Sequence, residues 1–332
     1  MSAKIIDGEA VAEQIRQQVA REVRQLEASG IKPSLAAVQV GENPASKIYT
    51  NMQAKACEAV GIEYKLITLP ETTSQEELLE EINRLNHSDT ISGIILQMPL
   101  PRQIDARAVQ MEISPKKDVE GVHPQNMGKL FYGGGTVAPC TPMAVVELIN
   151  RTCNDQGGLA GKEVVIVGHS EIVGKPIAAI LLQSPDASPT VTVCHIATRD
   201  LTFHTRRAEI LIVATGVSQA RWLRYKQMKK AGENPPPPDL SPLIKADMIK
   251  DGAIIIDVAI NRIPKGFDEN GEPIKNENGK IAMQTVGDVD FQAACEKASA
   301  ITPVPGGVGP VTTAMLLANT VACTKESSKK AV

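Results

Sequence analysis

Residues 162–182 read KEVVIVGHSEIVGKPIAAILL, and the order of residue types in this stretch decides the architecture. Val164 to Gly168 form a short apolar, β-branched run closed by glycine, the composition of a strand buried on both faces of a parallel sheet. Small residues follow at Gly168, Ser170 and Gly174, and Pro176-Ile177-Ala178 opens a helical pattern. A strand–turn–helix of this kind lets backbone N–H groups approach a pyrophosphate while the positive end of the helix favours the anion. The spacing G-x-S-x-x-V-G is a loose relative of G-x-G-x-x-G, and taken alone it also fits an ordinary tight turn.

The flanking sequence favours the first meaning. Thr190–Cys194, Ile210–Thr215 and Ala253–Val258 are further β-rich runs, separated by stretches long enough for crossovers. That alternation predicts a doubly wound parallel sheet. Ligands of such sheets sit at the carboxyl ends of the strands, so the loops after Val167, Cys194, Thr215 and Val258 should line one crevice.

A chain of 332 residues is long enough for two domains with cores of their own. A net charge of −3 argues against nucleic acid or an anionic membrane as the main partner. The six cysteines are scattered with no C-x-x-C pair, which reads as buried free thiols of a reducing compartment rather than a disulfide or metal framework. The first residues turn acidic and amphipathic without the apolar core of a signal peptide, and no apolar run approaches the roughly 20 residues of a membrane span. A cytoplasmic protein is expected.

Before residue 145 the chain alternates strand and helix a second time. Asp7 can cap a helix carrying Val11, Ile15, Val19, Val23 and Leu26 on one stripe, ended by Gly30. Ser34–Val40 reads as a buried strand, Ala45–Val60 as a helix closed by Gly61, Tyr64–Leu69 as a strand, Ser74–Leu85 as an amphipathic helix and Ser92–Gln97 as a buried strand. A helix over Thr141–Thr152 would bridge to the dinucleotide-type part. The pattern therefore predicts an α/β protein of two domains: an N-terminal α/β/α domain over 1–145, and a Rossmann-like domain over 146–309. Arg221–Pro242, basic and then proline-rich, reads as a surface excursion, and Lys265–Lys280 as an exposed hairpin or loop. Val311–Cys323 reads as an apolar helix, followed by a polar, frayed tail from Lys325.

Several polar residues stand where chemistry could be done. Tyr49 and Gln53 are four apart on one helix and share a face, while Lys55 points to the other side. Gln97 ends an otherwise apolar strand, where a structural glutamine and a site residue are equally at home. Asp118 lies in PKKDVEGVH, a loop bounded by Pro115 and Gly121, where a solvated acid is the plainer meaning. PVPGGVGP, residues 303–310, can bring bare backbone against a flat ligand or simply turn tightly.

Together SKIY with KACEAVGI, GIILQMPLP, PKKDVEGVHPQNMGKL, PCTP, GKEVVIVGHSEIVGKP, IIIDVAINR and ITPVPGGVGP resemble the successive signatures of the bifunctional methylenetetrahydrofolate dehydrogenase/methenyltetrahydrofolate cyclohydrolase family, from about Asp7 to Thr320. The resemblance implies a folate domain completed by the C-terminal helix at about 310–324, an NADP-binding domain, a cleft between them and a homodimer. It implies tetrahydrofolate derivatives as substrates. Tyr49 would contact the folate, Gln97 would bond near the one-carbon unit, Asp118 would anchor the pterin, and Pro305, Gly306 and Gly307 would border the folate. Gly168, His169, Ser170, Thr215 and Ile260 would face the dinucleotide, and Ile196 would lie near its adenosine 2′-phosphate.

The chain departs from the family pattern at one position of consequence. Gln53 stands where the family carries its acid/base lysine, and an amide cannot titrate near neutral pH. The expectation is a dehydrogenase with weak or absent cyclohydrolase activity. His169 replaces a common arginine and Ile196 a common serine, yet no acidic residue directly follows Cys194 to clamp an NAD ribose, so NADP is expected first and NAD second. Glu120 for Asp, with Ala144 and Ala259 for Gly, reads as milder change. The alternatives are a catalytically silent folate- or nucleotide-binding regulatory protein, supported by Gln53, and an unrelated NAD-linked dehydrogenase, opposed by the motifs before residue 145.

Overall fold

A computed structural model describes residues 2–42, 44–154, 157–184 and 186–328. The elements run β1 (Lys4–Ile5), α1 (Gly8–Ala28), β2 (Ser34–Val40), α2 (Pro44–Val60), β3 (Glu63–Leu69), α3 (Gln75–Asn86), β4 (Gly93–Leu96), α4 (Ala106–Glu112), α5 (Pro124–Phe131) and α6 (Cys140–Cys153). They continue as β5 (Glu163–Val167), α7 (Gly174–Leu181), β6 (Thr190–Cys194), α8 (Leu201–Thr205), β7 (Ile210–Val213), α9 (Val217–Lys230), β8 (Ile254–Asp257), β9 (Asn261–Pro264), β10 (Met283–Val286), α10 (Phe291–Cys295), β11 (Ala300–Ile301) and α11 (Val308–Ser328). The chain divides into one unit of Ala10–Ala144 with Pro310–Val332 and another of Met1–Glu9 with Val145–Gly309.

In the first of these units β3-β2-β4 form a parallel sheet. Ala36, Val38 and Val40 of β2, with Ile94 and Leu96 of β4, pack against Leu78, Ile82 and Leu85 of α3 and Val109 of α4. Period-two alternation along the strands and a three-to-four spacing along the helix put these residues on facing sides. A capping box fixes where α3 begins: Glu77 N donates to Ser74 Oγ (3.2 Å), and Ser74 N donates to Glu77 Oε2 (2.7 Å). The C-terminal helix α11 belongs to the same unit from Pro310 onward, and Asn319 ties it down. That buried amide donates to the carbonyl oxygens of Val119 (2.8 Å) and Ala138 (2.9 Å). The polar tail expected from Lys325 stays helical to Ser328, and its remainder lies outside the described residues.

The other unit carries an all-parallel sheet of order β1-β11-β8-β7-β5-β6. Val164–Val167, Ile210–Val213 and Ile254–Ile256 are buried on both faces, as continuous apolar runs demand. Residues 4–5, read in the sequence with the N-terminal domain, instead form β1 at the edge of this sheet beside β11. A two-residue strand has no periodicity to announce it.

The surface excursion expected over Arg221–Pro242 holds for its mostly exposed proline run but not for one side of its helix. Trp222 and Tyr225, three apart on α9, are buried with Ile263, and both rings meet Phe267 edge-on. The helix is therefore anchored on the β9–β10 ladder by its aromatic side, while its basic residues Arg224, Lys226 and Lys230 stay exposed. Lys265–Lys280 extends that hairpin through bridges between Phe267 and Pro273 and between Lys275 and Ile281.

Replacing Asn319 by Ala should leave two buried carbonyls without their donor and cost about 2–4 kcal/mol of stability, read as a lower urea midpoint. Asn319→Leu should cost a similar amount, because restoring volume does not restore the donor.

Candidate functional site

Two sets of residues stand out, one in each unit. In the first, α2 presents Tyr49 and Gln53 one turn apart, and the Tyr49 ring is 60% exposed. The Gln53 side chain is partly buried, and its Oε1 accepts from the Gln97 Nε2 (2.8 Å) and from the Tyr64 hydroxyl (3.1 Å). Gln97, 7% exposed, is held just beyond β4 by its own N–H, which donates to Val38 O (2.8 Å). Gln53 and Gln97 thus meet, with Tyr49 one turn away on α2, and Tyr64 joins them unannounced. In a strand that reads simply as alternating, a tyrosine is indistinguishable from a packing residue. Burial pushes the Tyr64 phenol well above its usual range, with Cys57 adding to the effect, and pushes the Cys57 thiol up to about 12. Lys55 is exposed.

The loop carboxylates are not what the sequence leads one to expect. Asp118 is 3% exposed rather than solvated. Its carboxylate accepts from the backbone N–H groups of His123 (2.8 Å) and Val122 (3.4 Å) and from the buried amide of Asn126 (2.9 Å). These bonds organise the turn that follows Asp118 and occupy most of the positions from which it could accept a ligand's donor. Glu120 differs. It is only partly buried, and among the described residues no hydrogen bond to its carboxyl is found. Desolvation, and then the charge of Asp118, raise it to about 7.

Register separates the two acids further. Asp118 bridges in parallel to Ile94, three residues short of Gln97. Beyond that bridge Val119 and Glu120 lie in a turn, closed by Gly121 N donating to Asp118 O (3.3 Å).

The second set lies where strand order reverses in the large sheet. β6 and β7 flank β5, so the turns after β5 and β7 bound the crevice in which such sheets bind ligands. Gly168 has φ +125°, and a Cβ there would meet Ala214 O at 2.4 Å. A Cβ on Gly174, the first residue of α7, would meet Gly168 O at 2.0 Å. Both positions must be bare, and bare backbone at a helix start is what a pyrophosphate needs. The Ser170 hydroxyl accepts from Val173 N (3.2 Å) and closes the turn. The His169 ring lies 4.8 Å from that of His195, tilted by 46°, with Ile196 fully exposed beside them. Asp200, the first acid after Cys194, is used as a cap and accepts from Phe203 N (2.9 Å).

Thr215 is braced from behind. Its N–H (2.9 Å) and hydroxyl (2.6 Å), with Gly216 N (2.9 Å), donate to one oxygen of the buried Asp288. Asn261 donates to the other oxygen (2.9 Å). Asp257 in turn accepts from the N–H groups of Val289 (2.9 Å), Asp288 (3.1 Å) and Ala259 (3.2 Å). Burial pushes the Asp257 carboxyl up to about 7. Asp257 and Asn261 show in the sequence only as polar residues interrupting an apolar run, and Asp288 has no pattern to announce it. Ile260, 53% exposed, lies near Gly309. In the turn before it Pro305 is exposed, Gly306 is partly exposed and accepts from Gly8 N (3.0 Å), and Gly307 is buried against Thr302. Of that trio only Pro305 and Gly306 offer themselves to a ligand.

Residues 6–120 match the model of the tetrahydrofolate dehydrogenase/cyclohydrolase catalytic domain, and residues 139–231 and 240–328 match that of its NAD(P)-binding domain. A Bacillus licheniformis protein named bifunctional protein FolD is 44% identical over 98% of this chain and 99% of its own. The Campylobacter jejuni bifunctional enzyme FolD, a methylenetetrahydrofolate dehydrogenase/cyclohydrolase, has 40% identity and a TM-score of 0.79 over 98% of this chain and 100% of that one. The Trypanosoma brucei methylenetetrahydrofolate dehydrogenase-cyclohydrolase, solved with NADP and an inhibitor, has 34% identity and a TM-score of 0.79 over 99% of both chains.

Glu120 carries a consequence for stability. Folded, it holds its proton to about 7, whereas its ordinary value is 4.5, so between these pH values the folded chain binds more protons than the unfolded one. Stability should therefore fall as pH rises through that window, and Glu120→Gln should flatten the fall, read as urea midpoints at pH 5 and pH 7.5. An unchanged slope would show that Glu120 is solvated.

Proposed function

The chain belongs to the tetrahydrofolate dehydrogenase/cyclohydrolase family, and on that premise we propose that it oxidises methylenetetrahydrofolate to methenyltetrahydrofolate with NADP, or secondarily NAD, and hydrolyses the methenyl product only weakly. The observation that carries this is Gln53. It occupies the family's lysine position, and its carbonyl oxygen is committed to Tyr64 and Gln97.

The two half-reactions make different demands. Oxidation needs the folate held against its hydride acceptor in a site that excludes water. In one unit Tyr49 offers an exposed ring for stacking while Gln53 and Gln97 offer amides, and in the other Pro305 with Gly306 offers a flat backbone edge. Glu120, rather than Asp118, is the carboxyl available to bond the pterin's N–H groups, since Asp118 is spent on its own loop. The dinucleotide supplies the hydride acceptor when bound. The turn from Gly168 to Gly174 fits its pyrophosphate, because both glycines leave backbone where a side chain would stand. NADP is placed first because His169 and His195 stand together with no free acid following β6, and because a relative is solved with NADP. A reducing cytoplasm suits six free cysteines, and a homodimer is the assembly expected of the family.

Hydrolysis asks for more. Water adds to the methenyl carbon and loses a proton to a base, and one carbon–nitrogen bond then breaks as that nitrogen gains a proton. The Gln53 amide cannot accept the proton, and the Tyr64 phenol, raised by burial, is not ionised near neutrality. A second reading rests on Glu120 of the same unit, whose value of about 7 suits proton transfer.

Purified protein should reduce NADP with methylenetetrahydrofolate while hydrolysing methenyltetrahydrofolate far more slowly. Gln53→Lys should raise hydrolysis by on the order of 100-fold or more, the usual worth of a general acid/base. Fast hydrolysis in the wild type that disappears in Glu120→Gln would install Glu120 as the base. Folate binding with neither activity would make the chain a binding protein.

A further inference from the structure

We infer that Tyr64 is a positioning residue of the folate site, fixing the Gln53 amide with its NH2 group turned outward as a neutral hydrogen-bond donor to the folate. The inference rests on the folate reading of this site.

A phenol carries one proton to donate, and the described acceptor of the Tyr64 proton is the Gln53 Oε1, at 3.1 Å. The Gln97 amide donates to the same oxygen at 2.8 Å. A carbonyl oxygen has two lone pairs, so these bonds fill it and settle which end of the Gln53 amide faces inward. The NH2 is then the outward end, and among the described residues no hydrogen bond is donated from it. Burial keeps the phenol protonated across the neutral range, so it acts as a donor under all ordinary conditions.

Gln97 alone would not hold this arrangement. The terminal torsion of glutamine is broad and roughly two-fold, and an amide with one partner can turn over if that partner, also an amide, turns with it. Tyr64 breaks the symmetry. It stands on β3, whose register against β2 pairs Tyr64 with Leu35, while Gln53 comes from α2 and Gln97 from the end of β4. Three separate elements therefore converge on one oxygen. A lysine at this position would present only donors, so a tyrosine hydroxyl there would have to accept instead. Tyr64 suits glutamine, and the pair makes a site that donates to folate at every pH but relays no proton.

The test is a double-mutant cycle on the full chain with Tyr64→Phe, Gln53→Ala and the double variant. Tetrahydrofolate binding by calorimetry is read alongside the KM values for methylenetetrahydrofolate and for the dinucleotide. Tyr64→Phe should weaken tetrahydrofolate binding and raise the folate KM by roughly three- to tenfold, the worth of one hydrogen bond, with the dinucleotide KM unchanged. In the Gln53→Ala background the same change should add nothing. Additive losses, an unchanged folate affinity, or parallel losses in folate and dinucleotide binding would each overturn the inference. Wild-type protein that binds tetrahydrofolate without oxidising its methylene form would sink the dehydrogenase reading instead, and the cycle would still judge Tyr64 from the binding constants.

Discussion

A buried carboxylate must find donors, and Asp288 finds four, from Thr215, Gly216 and Asn261. Much of the large sheet's working edge depends on that requirement. Asp288 follows β10, Thr215 and Gly216 follow β7, and Asn261 opens β9, so one side chain fixes three separate chain segments. Asp257, at the end of β8, then takes the backbone N–H groups of Asp288, Val289 and Ala259. Removing either acid would strand several donors, and a stranded buried donor costs about 1–3 kcal/mol. The turns after β7 and β8 hold their places because such rearrangement is expensive, and Thr215 is presented by a rigid support rather than by a mobile loop.

The same physics explains what could be read in advance. Strands buried on both faces need continuous β-branched runs, and for that reason β7 and β8 fall inside the runs that the pattern assigns to them. The turn at Gly168 was legible because a glycine after such a run has few other reasons to be there. Legibility ended where partners are set by how a loop turns rather than by a periodic pattern. Nothing near Asp118 says that Val122, His123 and Asn126 will surround it, nor that Glu120, two residues on, will be left without them. Trp222 and Tyr225 were hidden among arginines and lysines, although their spacing of three places both rings on one side of α9. Charge density is a poor guide to burial when a helix has only one face to bury.

Tyr64 marks the deeper limit. Gln53 could be flagged from the sequence because a residue type was unexpected at a familiar position, but the group that makes it workable lies eleven residues away on another element. Substitutions at a site are seldom isolated, because the neighbour that suited the old side chain has to suit the new one. A lysine offers donors only, whereas a glutamine offers donors on one side and an acceptor on the other. A phenol that keeps its proton is matched to the acceptor side.

Charge decides why such a site can lose hydrolysis and keep oxidation. Removing hydride from the methylene bridge leaves a cation, and a positive side chain within a few ångströms opposes its formation unless it first gives up a proton. The trio of Tyr64, Gln53 and Gln97 contributes no net charge, so on the proposed function it places no electrostatic barrier before the hydride step. Hydration of the cation needs a base that the trio does not contain. In the same unit Glu120 has a value near neutrality, its proton held there by burial and by the charge of Asp118. On the second reading, whether the methenyl product leaves intact or is opened by water turns on that carboxyl, and a carboxyl engaged in bonding the pterin's N–H groups is drawn toward its ionised form but away from free exchange with water.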